Sequence, residues 1–596
     1  MKWMRNLAVL GLLVAVPAVM TACDDDDPSG PEVVDPPAAP SNVAIAVTGQ
    51  SMTVTWAASS GADSYTAILT TDGESDRTQN NLTNTEASFT NLTPGRTYFA
   101  QVTATNTGGT SAPGTATGTT EVEPETVVQV TQDILTNTTW TSDKTWVLAQ
   151  PVFVGQDCGA DGAKAGCVAA TLTIEPGTTI LGKTEVPQGV RGAYLIVSRG
   201  SRLVADATGG VDRAPTEAET IVFTSDKPRG QRAVEDWGGI VINGAAPTNA
   251  GDEAQGEGDS GFYGGTDVND DSGILRGVRI EFAGDDVTPT DQLNGLALQG
   301  VGAGTTISYL QIHYNKDDGI EPFGGTVSID HLVVTGIGDD SVDGTDGYRG
   351  FMQFILGQQR GADADNGFEI SNNGDVEDAE PKSTAVLANA TMIGARTAVV
   401  TGDIAGAESD DALQFREGSH YRVYNSIFQG FGKGGFCIDD AATLLNAQNR
   451  MAGQTDPTTT LSAEGLIMWS NEAVGGGDEN FACGEDAGQG KAFFEMAGFS
   501  NMLADPGFDA SAFNMGTQSS PPDFTLTAMP GGYTAFDLSG IAFDANLVAP
   551  VDGRTLVDTD YAGAVAPGTA LASAWYYGWT VWTSDGTDSR PNADGN

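Results

Sequence analysis

The chain has 596 residues, of which 78 are glycine, 79 are aspartate or glutamate and 28 are lysine or arginine. The glycine content argues against long helices and a coiled coil, because glycine disfavours helix. The formal net charge of −51 argues against nucleic-acid binding, because so acidic a surface repels phosphates. The length predicts several domains, or fewer if one is an elongated repeat array.

The first 22 residues have the pattern of an export signal. Lys2 and Arg5 precede an apolar run from Leu7 to Val16 that is too short to span a bilayer comfortably. Small residues then lead to Cys23. This arrangement resembles the lipobox of bacterial lipoproteins, which implies that Cys23 is lipidated and becomes the mature N-terminus. The alternative is an ordinary cleaved signal with an incidental cysteine.

Residues 23–40 are acidic and proline-rich, which predicts an extended tether. Acidic residues directly after the lipidated cysteine resemble a retention signal in some bacteria and a surface-export signal in others. We expect an outer-membrane lipoprotein at the cell surface, because of the modules that follow. Anchoring that faces the periplasm is the alternative.

Residues 41–121 alternate apolar and polar over short runs, which is typical of a small β-sandwich. Trp56 follows one alternating strand, and the segment from Leu92 to Tyr98 reads LTPGRTY. These features resemble a fibronectin type III domain. The resemblance implies that the Tyr98 phenol bonds back to nearby backbone, and that the module is a spacer or a binding module.

Residues 122–596 contain a repeat of about 22 residues and no helical pattern of useful length. Leu310 and Ile312 recur 22 residues later as Leu332 and Val334. A small residue followed by an apolar one recurs in six segments: 293–297, 317–321, 339–343, 365–369, 410–414 and 433–437. This period without helix predicts a β-solenoid whose apolar residues stack inward, so that Ile320 lies over Val342.

We therefore expect an all-β protein with a sandwich followed by a solenoid with a C-terminal cap. The aromatic cluster from Trp575 to Trp582 is predicted to close the end of the solenoid core, with sugar stacking as its alternative role. A β-propeller or a pair of sandwiches is the runner-up fold, but propeller blades repeat at about 40 to 50 residues.

The large module also resembles a family of bacterial surface lipoproteins with right-handed parallel β-helices. The matching stretches include Leu172 to Ile180, Trp237 to Ile240, Gly347 to Gly350 and Tyr424 to Phe428. The resemblance implies the fold, its handedness and the surface location, but no established chemistry for particular residues.

Four cysteines follow Cys23: Cys158, Cys167, Cys437 and Cys483. An even number in an exported protein predicts two disulfides. Proximity in the sequence favours the pairs Cys158–Cys167 and Cys437–Cys483.

Stacking of the repeats would bring acidic residues into line. Asp317 would lie over Asp339 and Glu321 over Asp343, at about the 4.8 Å spacing of neighbouring strands. Because like charges at that distance repel, we expect solvent screening, raised pKa values or a hard cation such as Ca²⁺. The alternative is that these acids face water and only cap turns.

A second calcium candidate comprises Asp267, Asn269 and Asp271, whose alternating oxygen ligands resemble the opening of a calcium loop. The segment departs from that pattern, because Ser272 stands where glycine is expected and Val278 where glutamate is expected. A mobile solvated loop is the alternative.

These features favour a lipid-anchored binding or structural module for glycans or other surface ligands. Its predicted partners are the membrane, through the lipid, and a polysaccharide or surface ligand, but no nucleic acid. The alternative is a Ca²⁺-dependent polysaccharide lyase or glycoside hydrolase, in which His313, Lys316 and Arg349 would supply the chemistry. Histidines on solvated strands or turns argue against it, so we lean towards a protein that is not an enzyme.

Overall fold

The computed structural model describes residues 34–592, apart from 49, 72–73, 121–125, 187–191, 289–290, 361–363, 396–408, 470, 472–480 and 482–486. The predicted signal peptide and Cys23 lie outside the described residues. The chain divides into two compact units, Met1–Pro124 and Glu125–Asn596. Each unit has its own apolar core.

The first unit is a β-sandwich. Its strands are β1 (Ser41–Thr48), β2 (Ser51–Ala57), β3 (Ser64–Thr70), β4 (Arg77–Leu82), β5 (Glu86–Phe89), β6 (Thr97–Asn106), β7 (Gly109–Thr110) and β8 (Gly114–Thr119). One antiparallel sheet has the order β1-β2-β5, and the other has the order β4-β3-β6-β7 with β8 beside β6. Trp56 is buried between them, and the Tyr98 hydroxyl accepts the Thr93 amide at 3.0 Å, as predicted.

The second unit is a parallel β-helix. Its elements are β9 (Thr126–Val130), β10 (Thr138–Trp140), β11 (Lys144–Leu148), β12 (Val152–Val154), β13 (Thr171–Ile174), β14 (Thr179–Gly182), β15 (Tyr194–Val197), β16 (Arg202–Asp206), β17 (Ile221–Ser225), β18 (Gly239–Asn243), β19 (Ala254–Gln255), β20 (Phe262–Tyr263), β21 (Gly273–Glu281), β22 (Asp286–Thr288), β23 (Asp291–Gln292), β24 (Leu296–Gln299), β25 (Thr306–His313), β26 (Ile320–Phe323), β27 (Ser328–Thr335), β28 (Val342–Gly344), β29 (Phe351–Gln358), β30 (Phe368–Ser371), β31 (Val386–Ile393), β32 (Leu413–Arg416), β33 (Arg422–Tyr424), β34 (Ile427–Gln429), β35 (Cys437–Ile438), β36 (Ser462–Glu464), β37 (Ile467–Trp469), β38 (Met502–Leu503), α1 (Ala441–Met451) and α2 (Ala487–Phe494).

Two parallel sheets run along the coil. Within the described part of the chain the long sheet has 17 strands, and the short sheet has nine, in the order β12-β15-β18-β24-β26-β28-β30-β32-β35. Ile320 pairs directly with Val342, which confirms the predicted stacking. The same inward column continues through Leu296, Phe368 and Leu413. Stacked turns therefore share one core that a single turn could not form.

A bend in each long strand is made by a residue with positive φ. These residues fall in one register column: Gly277, Tyr309, His331, Phe354 and Asn389, with φ of 70°, 51°, 54°, 59° and 53°. The His331 ring stacks on Tyr309 at 4.3 Å and on Phe354 at 4.9 Å between ring centroids. The ring contacts help to offset the cost of the left-handed conformation. His331 is therefore part of a ring stack and not a solvated residue.

The C-terminal segment covers the outer face of the long sheet. Tyr576 and Trp582 are buried against Val333 and Leu356, which point outward from β27 and β29. The prediction that this aromatic cluster closes the end of the core is wrong. The strands β27, β29 and β31 carry apolar residues on both faces, so their outer face also needs a cover.

Two short helices lie at the C-terminal end of the core. Asp440 caps α1 by accepting the Thr443 amide at 2.8 Å, and Ala447 and Phe493 join the core beside Phe436. The sequence did not predict these helices, because each is short and packs few apolar residues. Among the described residues, none of the helices is both long and apolar enough to cross a membrane.

One of the two predicted disulfides joins described residues. Cys158 and Cys167 are bonded, and they close a loop beside the first strands of the short sheet. Cys437 is buried. Because Cys483 lies outside the described residues, the second pairing stays a prediction.

Replacing Cys158 and Cys167 together by alanine is expected to lower the free energy of unfolding by about 2–3 kcal/mol, because the unfolded chain loses a closed loop. Urea unfolding of the variant and the parent under non-reducing conditions measures the difference. Equal midpoints would show that the bond contributes nothing to stability.

Candidate functional site

Carboxylates from three successive turns of the coil gather where a turn leads into each strand of the short sheet. We call this set the acidic column: Asp317, Asp318, Glu321, Asp339, Asp340, Asp343, Asp365 and Glu369. Ile320 points into the core, so Glu321, the next residue of β26, points outward from the short sheet. Asp343 and Glu369 pair in the same outward column on β28 and β30.

The second aspartate of each pair is fixed by the turn that follows it. One oxygen of Asp318 accepts the amide of Asp340 at 2.9 Å, and one oxygen of Asp340 accepts the amide of Asn366 at 2.7 Å. Asn366 continues the series by accepting the amide of Asp411 at 3.0 Å. Because each bond spans one turn, the side chains are held in line along the axis of the coil.

The carboxylates of the column lie close to one another. Their oxygens form four groups of three, and within each group the ligand atoms lie within 4.8 Å: Asp317, Asp318 and Asp339; Asp318, Glu321 and Asp343; Asp339, Asp340 and Asp365; Asp340, Asp343 and Glu369. Asp343 Oδ1 is inaccessible to solvent and accepts no hydrogen bond from the described residues. Ligand oxygens of Glu321 and Asp343 lie within 4.8 Å of each other, and a hydrogen bond between the two carboxyl groups would require a proton on one of them.

Burial and mutual repulsion favour the protonated forms of these acids. Burial is the largest cause that raises the pKa of Asp318, Glu321, Asp340 and Asp343 well above the usual range, and neighbouring carboxylates raise each of them further. Burial also raises the pKa of Glu369 to about 7. A hard cation among these oxygens would replace the protons and relieve the repulsion.

A guanidinium borders the column at its C-terminal side. Arg416 on β32 donates to the carboxylate of Glu369 and to Oε1 of Glu417, the latter at 2.9 Å. Burial acts to lower the pKa of Arg416, but these carboxylates raise it above its ordinary value. Arg416 therefore stays charged and suits an anionic ligand better than the role of a base.

His313 lies away from the column, on the outer face of the long sheet. Its Nδ1 is 2.7 Å from Oγ1 of Thr335, and its Nε2 is 3.1 Å from the carbonyl oxygen of Thr583. The side chain is fully buried, and burial lowers its pKa. A substrate could not reach this ring without displacing the C-terminal segment.

Arg349 and Lys316 are also separated from each other. Arg349 is buried, and its guanidinium donates to the carbonyl oxygen of Ala545 at 2.7 Å. Lys316 lies in the turn directly before Asp317, so of the three predicted catalytic residues it is the one beside the column. The arrangement does not bring the three together.

The second predicted calcium segment is arranged as a turn. Asp267 accepts the amide of Asn269 at 3.0 Å, and Asp271 pairs with Arg202 at 2.8 Å. Asp270 between them is buried and accepts the Ser272 hydroxyl. Among the described residues, the acids of this segment are not in any group of three close ligand atoms, so the loop offers less to a cation than the column does.

The sequence predicted Asp317, Asp339, Glu321 and Asp343 as metal ligands but not Asp318, Asp340 and Glu369. Asp318 and Asp340 are buried like Glu321, and Glu369 belongs to the last group of three. The Asp-Asp dipeptide that recurs at 317–318 and 339–340 could have indicated these additional ligands. Its second member sits one residue before the small residue of the repeat, and there the chain turns into the core.

Two family profiles match the chain. One, described as a pectate-lyase-like β-helix domain, matches residues 132–464, and the other, a fibronectin type III domain, matches residues 38–120. No curated protein matches.

Solved fibronectin type III structures are similar to a small part of the chain. FN3tt is 25% identical and covers 14% of this chain and 95% of its own, with a TM-score of 0.14. A domain of human collagen alpha-1(XX) is 24% identical and covers 16% and 95%, with a TM-score of 0.14. The FN5 domain of Drosophila Lar is 19% identical and covers 15% and 99%, again with a TM-score of 0.14.

The β-helix profile spans more than half of the 596 residues, and the whole acidic column lies inside its range. The parallel sheets and the inward stacking of the repeat agree with it. The chain therefore belongs to the family of pectate-lyase-like β-helix domains, with a fibronectin type III domain preceding the β-helix.

Proposed function

We propose that this protein is an exported, lipid-anchored module of the bacterial cell surface that binds acidic polysaccharides through Ca²⁺ held in the acidic column. The observation that carries the proposal is the convergence of buried carboxylates in groups of three ligand atoms within 4.8 Å. The unpartnered Oδ1 of Asp343 lies in the same set and offers a ready ligand.

Calcium suits this set of ligands. It takes six to eight oxygen ligands in flexible geometry, and carboxylates are its usual protein ligands. Asp318, Glu321 and Asp343 would hold one ion, and the protons that their raised pKa values favour would be released as it binds. The fixed backbone contacts of Asp318 and Asp340 keep these oxygens in place without the ion.

An acidic polysaccharide is the ligand that most needs such an ion. The chain carries a net charge of −51, so a polyuronate would be repelled from its surface. A Ca²⁺ ion with part of its coordination open can bridge protein and uronate carboxylates. Arg416, beside Glu369, would add a second positive group for the same ligand.

The location rests on the N-terminal segment. Residues 1–22 would be removed as a signal peptide, and a lipid on Cys23, followed by the acidic tether and the fibronectin type III domain, would anchor the β-helix to the membrane. Changing Cys23 to serine should release the protein from the membrane fraction. Protease added to intact cells should cleave the parent, whereas full protection would place it on the periplasmic side.

Binding is favoured over cleavage because, of the three residues predicted to supply the chemistry, Lys316 alone lies beside the column. His313 and Arg349 are buried under the C-terminal segment, and Arg416 stays protonated. Lys316 is the nearest candidate base. A polysaccharide lyase is the second candidate function, and the β-helix family is what favours it.

Calcium titration of chelator-treated protein at about pH 7.5 is expected to release heat and to raise the melting temperature. Changing Glu321 to glutamine and Asp343 to asparagine together should abolish both effects, because one group of three loses two carboxylates. The matched control changes Asp267 and Asp271 to asparagine and should keep both. If the control variant lost the heat and the rise in melting temperature instead, the Ca²⁺ site would lie in the turn that contains Asp267 and Asp271.

Polygalacturonate binding is measured next, with Ca²⁺ and with EDTA. We expect retention with Ca²⁺ alone, and none by the variant at Glu321 and Asp343. Absence of binding in both conditions would refute the proposed function. New absorbance from unsaturated sugar ends would establish the lyase instead.

A further inference from the structure

A separate cavity of about 210 Å³ lies near the N-terminal end of the short sheet. It is lined by residues of β12 and β18, by the turns that follow β12 and β15, and by the hairpin of β19 and β20, and we call it the hairpin pocket. Its walls include the rings of Phe153 and Phe262, and Asn243 is among its buried polar residues. None of these residues belongs to the acidic column.

Asn243 has an unused hydrogen-bond acceptor in this pocket. The residue is 1% exposed, and its amide nitrogen donates to the carbonyl oxygen of Ser260 at 2.8 Å. Its Oδ1 is buried and has no partner among the described residues. Gln299, its register neighbour on β24, likewise has a buried Nε2 without a partner. An acceptor and a donor on adjacent strands match a hydroxyl group, which both donates and accepts.

Arg199 and Asp157, which both line the pocket, already pair with each other. Arg199 is fully buried, and its guanidinium donates to both oxygens of Asp157, at 2.8 and 3.2 Å. It also donates to the carbonyl oxygens of Asp252 and Gly264 and to the carboxylate of Glu253. With its donors engaged, Arg199 has little to offer an anion, and the carboxylate of Asp133, which also lines the pocket, would repel one.

An aromatic ring stands at the mouth of the pocket. Phe262 is 40% exposed although it is a large apolar side chain, and Lys164 Nζ lies 5.3 Å from its ring centroid. Phe153 on β12 is half-buried and lines the same cavity. Apolar rings with a few placed polar groups are the usual lining of a small-molecule site.

We infer that the hairpin pocket binds one uncharged sugar residue, whose apolar ring face packs on Phe262 and one of whose hydroxyls donates to Asn243 Oδ1. The cavity volume limits the ligand to about one ring, and the neutralised charges favour hydroxyl groups over carboxylates. This site does not depend on the calcium column, so either assignment can fail without the other.

Ligand-observed NMR with the full chain in EDTA tests the inference, with the methyl glycosides of glucose, galactose, mannose and N-acetylglucosamine and with glucuronate. We expect at least one neutral glycoside to bind, and glucuronate to bind more weakly. Changing Phe262 to alanine should weaken binding at least about tenfold, because the stacking face is lost. Changing Asn243 to alanine should have a similar effect.

Two controls separate binding from folding. Tyr577→Ala removes an aromatic ring that is 37% exposed elsewhere on the β-helix, and it should leave binding unchanged. Asn243→Leu keeps about the size of the side chain and removes the acceptor, so it should weaken binding in the same way if the alanine variant melts early. The inference is overturned if no neutral glycoside binds, if glucuronate binds as well, or if Phe262→Ala binds like the parent. If the variant with Glu321→Gln and Asp343→Asn still binds the glycoside, the hairpin pocket acts independently of the calcium site.

Discussion

Replacing Ile320 by aspartate is expected to unfold the β-helix and leave the fibronectin type III domain folded. Ile320 is fully buried and stacks between Leu296 and Val342 in the inward column. A carboxylate there has no partner, and burying it should cost more than about 4 kcal/mol. Because the two units have separate cores, calorimetry should lose one transition and keep the other.

Val376→Asp is the matched control, because it introduces the same charge at a side chain that is 58% exposed. We expect its two transitions to match those of the parent. If Ile320→Asp also kept both, residues of successive turns would not share a core, and the alignment of the acidic column would be wrong too.

The second large effect concerns pH. Metal-free protein is expected to be more stable at about pH 5 than at about pH 8. The pKa of Glu369 is about 7 in the folded chain against an ordinary value of 4.5, and the buried acids Asp318, Glu321, Asp340 and Asp343 shift in the same direction. At pH values between the ordinary and the raised pKa of each acid, the folded chain binds more protons than the unfolded chain. The free energy of unfolding therefore falls as pH rises through that range. For Glu369 alone, the raised pKa corresponds to a loss of about 3 kcal/mol in the free energy of unfolding across this range.

Two buried histidines, His313 and His420, work against this trend. Burial lowers the pKa of both, that of His420 from 6.5 to about 4, so their contribution to stability is lost as pH falls below 6.5. They are two groups against the five acids named above. Urea unfolding across the pH range measures the sum, and saturating Ca²⁺ should remove the fall at high pH because the ion replaces the protons.

The variant with Glu321→Gln and Asp343→Asn should flatten the pH dependence of the metal-free protein. Asp212→Asn, which removes one exposed carboxylate, should not. A parent protein that gains stability steadily from about pH 5 to about pH 8 would contradict the raised pKa values of the column.

Local repetition explains why so much of the fold was predictable. A small residue followed by an apolar one at a constant offset requires stacked turns, and the direct pairing of Ile320 with Val342 follows from that spacing alone. The alternation around Trp56 and the LTPGRTY segment likewise specify the sandwich. In both cases the information lies in short-range periodicity.

The candidate sites were less predictable. The repeat offset brought Glu321 and Asp343 together correctly, but it could not show that Asp318 and Asp340 are buried and join the same groups, because that depends on how the turn enters the core. The hairpin pocket was not predicted at all. Asn243 and Phe262 come from different elements whose approach no periodicity records.

By itself, the sequence determined the two-module order, the parallel coil and the line of acids, because each depends on patterns repeated along the chain. The tertiary structure alone decided what the C-terminal segment covers. It therefore also decided that His313 and Arg349 are buried beneath that segment. That segment lies some 270 residues after His313 in the chain. Its position depends on apolar surface on the outer face of the long sheet, and such a contact between distant segments leaves no local pattern in either of them.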